Sequence, residues 1–189
     1  MFALVRSDSA GGSRSSENVS FRLNKDQLYE LRSEAKQKRI SLNTLVSQVV
    51  DSYVNYTSNI SKSAAIPVSR LTLMVLLEGY TEYQIKTMAH KIVNMSGKDA
   101  TLMFQGFYDF EAVLKTFESW LRAADFAFSH IKTTDANRSK HTFVINHTMS
   151  RKYSVFAAES FKAYFEPVIT QEVVYSITDK VISISVEGA

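Results

Sequence analysis

The stretch from Asn18 to Tyr53 constrains this chain most, because it reads as one short strand and two helices that cannot be satisfied alone. Val19, Phe21 and Leu23 alternate with Ser20 and Arg22, the period of a strand with one buried and one exposed face. Asn24 stands three residues before Gln27, the spacing of a capping box, and Leu28, Leu31 and Ala35 follow at helical spacing. Lys36 to Ile40 are mostly polar and interrupt that stripe. Ser41 then offers a second N-cap ahead of Leu42, Leu45, Val46, Val49, Val50 and Tyr53, a stronger apolar face.

A unit this small leaves the backbone of its lone strand unpaired and its helix faces without a core. A second copy is expected to complete it, with the two strands antiparallel about a two-fold axis. Val19, Phe21 and Leu23 would then pack inward, and Ser20, Arg22 and either Asn18 or Asn24 would face out. A two-stranded ribbon fits the major groove of B-DNA, where Arg pairs bidentately with guanine and Ser or Asn meets several base edges.

In order, lengths and polarity pattern, residues 18 to 55 resemble the ribbon-helix-helix family of transcriptional repressors. The resemblance implies a homodimer that binds double-stranded DNA sequence-specifically. It assigns base contacts to Asn18, Ser20 and Arg22, and phosphate contacts to the start of the second helix at Ser41, Leu42 and Asn43. A helix N-terminus favours an anion on general grounds as well. The family often carries glycine in the turn before the second helix, where this chain has Lys38-Arg39-Ile40.

Charge adds little to this expectation. A formal net charge of +3 and a pI near 9.0 suit nucleic acid but are common in ordinary proteins. With 45% hydrophobic and 22% charged residues, and no apolar run near the roughly 20 residues a membrane helix needs, a soluble cytoplasmic protein with no membrane partner is expected. The chain has no cysteine, which excludes disulfides, thiolate catalysis and cysteine-ligated metals.

The 189 residues divide into a polar arm over 1–17, expected to be disordered, the ribbon-helix-helix module over 18–56, a linker over 57–67 and a C-terminal domain over 68–187. In that domain Ser69 caps the run from Leu71 to Leu77, which ends by Gly79, and Thr81 to Val93 forms a second helix of a hairpin. From Ala100 the period changes. Thr101-Leu102-Met103-Phe104 reads as a strand, Phe110 to Ala124 as a helix, Phe126 to Lys132 and His141 to His147 as strands, and Tyr153 to Phe165 as a helix. Val173 to Ile177 and Val181 to Val186 close the chain as strands joined around Thr178-Asp179-Lys180. The fold class is therefore α+β: the N-terminal module, then a helical hairpin and a ferredoxin-like sandwich close to the βαββαβ order.

The overall architecture is also similar to the nickel-responsive repressors, whose ligand set includes a cysteine that this chain lacks. His141 and His147 share a strand face but lie ~20 Å apart at ~3.3 Å per residue, too far for one ion. His130 could approach His141 across the hairpin, yet structural or surface histidines are the default, and neither a metal nor a cofactor is expected. Asp109, Glu111 and Glu118 follow a helix start and its exposed side, where acids complement the dipole. Ser150 is read as a plain N-cap in preference to an anion site with Arg151 and Lys152. No convergent catalytic set is present, so no enzyme is expected. The C-terminal domain is read as a sensing or oligomerisation module, able to extend the homodimer to a tetramer or to hold an organic effector of unassigned identity. The competing reading is an antitoxin-like or other interaction subunit whose C-terminal domain binds a protein partner; a domain that looks able to fold alone favours the regulator.

Overall fold

The computed structural model describes residue 17 and residues 19–58, 68–135 and 138–188. The expected arm up to residue 16, Asn18 and linker residues 59–67 lie outside these. The chain divides into two compact units between Val46 and Ser47.

In the first unit, α1 spans Lys25–Gln37 and begins with the capping box the spacing predicts: the Gln27 amide donates to Asn24 Oδ1 at 2.7 Å and the Asn24 amide to Gln27 Oε1 at 3.3 Å. The helix ends without glycine. Arg39 takes a left-handed φ of 55°, its amide donating to the Lys36 carbonyl at 3.1 Å and the Ile40 amide to the Ala35 carbonyl at 3.0 Å, so the paired bonds of a Schellman motif close the last turn. Helix α2, Leu42–Ser52, starts in this unit at Ser41, which receives the Thr44 amide at 3.0 Å, runs across the division after Val46 and passes into a π-helical turn over Tyr53–Thr57. Residues 19–24 form no strand in the single chain. A strand exists only with a partner, and no described residue of the same chain pairs with this stretch. The expected ribbon is thus not a feature of one chain.

In the second unit, α3 (Arg70–Glu78) is capped by Ser69 and ends at Gly79, as its pattern predicts. Helix α4 runs from Glu82 to Gln105, far past the Val93 end expected for it. Thr101-Leu102-Met103-Phe104, expected as a strand, is its last full turn. Four apolar residues in a row do not separate a strand from a helix, and here the Thr101 hydroxyl donates back to the Gly97 carbonyl at 3.1 Å, a local bond that a helix supplies. Gly106, with φ 81°, ends the helix in the left-handed region.

Helix α5 (Phe110–Ala123) is followed by β1 (Ala127–Asp135) and β2 (Arg138–Asn146), then α6 (Arg151–Phe165) with a 3₁₀ turn at Glu166–Val168, and last β3 (Val174–Ile177) and β4 (Val181–Gly188). The sheet is antiparallel throughout, in the order β1-β2-β4-β3. With no strand before α5 among the described residues, the ferredoxin-like βαββαβ order is not realised. The unit is α+β, three helices leading into two hairpins joined by α6.

Alternation along β2 and β4 turns His141, Phe143, Ile145, Ile182, Ile184 and Val186 to the helical side, where all are buried. Phe117 of α5 is the hub of that side. Its ring meets Phe143 of β2 at 5.0 Å and Phe161 and Phe165 of α6 at 4.8 and 5.2 Å, each edge to face. Helix α6 packs against the sheet and against α4, which is why residues on several sides of it are buried, from Tyr153 to Phe165. No helix among the described residues is long and apolar enough to cross a membrane.

Candidate nucleic-acid interface

The structure places the expected base-contacting residues on open backbone. Ser20 and Arg22 are exposed and make no hydrogen bond or ion pair among the described residues. Asn18 lies outside them. Asn24, the alternative to Asn18, has its side chain committed to the α1 cap and is removed as a reader. The apolar residues that alternate with Ser20 and Arg22 are exposed too: Val19 by 68%, Phe21 by 66% and Leu23 by 45%. Among the described residues nothing covers these three apolar side chains at strand spacing.

At the start of α2 the Ser41 hydroxyl already serves the helix. It accepts the Thr44 amide and lies 2.7 Å from the Thr44 hydroxyl. The amides of Leu42 and Asn43 precede the first intrahelical bond and have no backbone acceptor among the described residues. These two donors, with the positive end of the helix dipole, can hold a phosphate oxygen, and Ser41 positions them. No acidic residue occupies the first turn of α2 to compete.

The apolar face of α2 changes character along its length. Leu45 is buried and Leu42 and Val46 are half-buried, while Val49, Val50, Tyr53 and Val54 are exposed. The stripe is thus covered at its start and exposed toward its end.

The four histidines take structural positions. His147 Nδ1 accepts the Met149 amide at 3.2 Å, which puts the ring proton on Nε2, and Nε2 then donates to Ser154 Oγ at 2.9 Å. A base would need that nitrogen bare, so Ser154 is not activated as a nucleophile. Burial lowers the pKa of His147 and keeps it neutral. His130 does approach His141: Nε2 of the first lies 2.9 Å from Nδ1 of the second, and His130 Nδ1 lies 2.6 Å from Glu118 Oε1. The two rings spend these nitrogens on each other, and no described group of three or more histidine, cysteine or acidic residues could hold a metal. His141 is 2% exposed, its Nε2 has no partner, and burial, then the nearby His130 and Lys132, lower its pKa. Ser150 stands at the N-cap of α6 but its hydroxyl makes no capping bond. Arg151 pairs with Glu82 at 3.4 Å and Lys152 with Glu78, so neither cation is free for an anion there.

One polar cluster was not foreseen from the sequence. Glu159 of α6, only 6% exposed, accepts the Tyr175 hydroxyl at 2.6 Å and the Lys86 ammonium at 3.0 Å on Oε1, and meets His90 Nε2 at 2.9 Å on Oε2. Burial alone would raise the pKa of this carboxyl, but the three hydrogen bonds outweigh it and hold the group at about 2. The signal available was a lone acid in the small and apolar run Val155-Phe156-Ala157-Ala158-Glu159. With three donors from its own protein on its two carboxylate oxygens, the cluster joins α4, α6 and β3.

Compared with protein-family models, curated proteins and solved structures, the chain finds no significant match.

Proposed function

We propose that this chain is a homodimeric, sequence-specific DNA-binding regulator of the ribbon-helix-helix type, in which an antiparallel ribbon forms between two copies and enters the major groove. The observation that carries the reading is the alternation at 19–24: exposed apolar Val19, Phe21 and Leu23 interleaved with unpaired Ser20 and Arg22, directly before a capped helix pair. Pairing two such stretches satisfies their backbone groups and covers their apolar side in one step. The exposed Val49, Val50 and Tyr53 of α2 extend the same need for a partner. In the dimer, Ser20 and Arg22, with Asn18, read base edges, and the Leu42 and Asn43 amides, set by Ser41, clamp a phosphate. The second unit serves sensing or further assembly, and the regulator works in the cytoplasm, where its DNA lies.

A second reading keeps the N-terminal dimer but gives the second unit a protein partner. It is favoured by the exposed Leu71, Val75 and Leu76 of α3 and Tyr83 and Met95 of α4. Sedimentation equilibrium of the full chain at micromolar concentration tests the shared premise. A dimer is expected, and a monomer with α1 and α2 folded would overturn both readings.

A further inference from the structure

A cleft of about 350 Å³ opens between α4 and the end of α6, within the second unit. Its walls are Val93, Pro167 and the rings of Tyr108 and Tyr164. Gly97 sets the shape. A Cβ there would stand 3.1 Å from Tyr164 Cδ2 and 3.1 Å from Val93 Cγ1, so glycine lets the tyrosine ring lie close along the helix. That ring is fixed: its hydroxyl lies 2.6 Å from Thr101 Oγ1, and because the threonine proton already serves the Gly97 carbonyl, the tyrosine donates. The fixed ring forms one aromatic wall of the cleft.

Two side chains at this wall, Asn94 and Lys98, offer donors with no protein acceptor among the described residues. Asn94 and Lys98 are one helical turn apart on one face of α4, and neither side chain has a hydrogen bond or ion pair among the described residues. The Lys98 ammonium lies 5.6 Å from the centre of the Tyr108 ring and forms no ion pair among the described residues. Lys98 is the one side chain lining the cleft that carries a full charge at neutral pH. Burial raises the pKa of Tyr108, which leaves its hydroxyl a neutral donor.

We propose that this cleft binds a small planar aromatic carboxylate, with the carboxylate between Lys98 and Asn94 and the ring against Tyr164 and Tyr108. Flat walls select an aromatic body, and unpaired donors with a single positive charge select an anion. The site lies wholly in the second unit and does not rest on the DNA-binding reading; if that reading also holds, the ligand is a candidate effector.

Calorimetric titration of the full chain with benzoate, hexanoate and benzylamine tests the site. Saturable benzoate binding with a Kd on the order of 1 mM is expected for so small a probe, with hexanoate and benzylamine weaker. Lys98→Glu should weaken benzoate by at least about tenfold, whereas Lys91→Glu, the same charge change on α4 outside the cleft, should leave it unchanged. Absence of saturation by about 10 mM, benzylamine or hexanoate binding as tightly as benzoate, or equal loss in the two variants would each overturn the proposal. Both lysines are exposed, so matching melting curves will show that the variants are folded.

Discussion

The Tyr175 hydroxyl donates to Glu159 at 2.6 Å, tying the edge strand β3 to the central helix α6. Lys86 and His90 approach the same carboxylate from α4. With its pKa held at about 2, below the unfolded value near 4.5, Glu159 contributes stability that is complete above about pH 4.5 and lost as the pH falls toward 2. Glu159→Gln should lower stability at pH 7 by about 1–3 kcal/mol and flatten the acid limb of the stability curve. Chemical denaturation across this range reads both effects. An unchanged acid limb would show the carboxylate to be uncoupled from folding.

Arg39 holds a left-handed φ of 55° where a residue with a Cβ is disfavoured by about 1 kcal/mol. Arg39→Gly should therefore be neutral to stabilising by up to about 1 kcal/mol, and Arg39→Val destabilising by more than that. Thermal melts of the two variants should move in opposite directions. A loss of stability in the glycine variant would mean that the arginine side chain, and not the backbone, sets the turn.

His141 and His147 are buried and neutral, their pKa values lowered from 6.5 first by desolvation. The unfolded chain binds protons at these two sites before the folded one does. Their contribution is complete above about pH 6.5 and falls below it, by up to about 1.4 kcal/mol per pH unit for each site. Denaturant midpoints between pH 7 and pH 5 should decline accordingly. A rise over that interval would contradict the neutral assignment.

Local chemistry made most elements legible in advance. Asn24 with Gln27, Ser69 and the Thr178-Asp179-Lys180 turn announce their caps and hairpin through short-range bonds that depend on neighbours alone: Thr178, for example, accepts the Val181 amide at 3.0 Å. The periods of α5, β2 and β4 are readable because each buries one regular face, whereas α6, buried on several sides, is readable from its run of aromatic and small apolar residues. The end of α4 is not. The pattern ends that helix at Val93 and changes period from Ala100, and only the Tyr164 ring seated on Gly97 shows why glycine stands inside a helix. The left-handed turn at Arg39 lacked its usual glycine, and the Glu159 cluster depends on residues from Lys86 to Tyr175 that only the tertiary fold brings together. Among the expected DNA contacts, Ser20 and Arg22 are available, Ser41 is occupied as a cap, and no single chain can show their ribbon.

Phe21→Ala should separate dimerisation from folding. The side chain is 66% exposed in one chain, so its loss should leave the helices intact while removing burial from both copies at the ribbon. Covering the two rings is worth about 2–4 kcal/mol in all, which predicts a dimer dissociation constant raised by about 30-fold to 1000-fold. Sedimentation and circular dichroism together read this outcome. Unfolding of the isolated chain by the substitution would place Phe21 in a monomer core instead.

Selection of duplexes bound by the full chain from a random pool, run beside Arg22→Ala, tests the central claim most directly. Two ribbon strands related by a two-fold axis should enrich a palindromic motif, and the variant, folded and dimeric, should lose discrimination by about 1–3 kcal/mol per lost guanine contact. No enriched motif, or the same motif recovered at full strength with Arg22→Ala, would contradict the account.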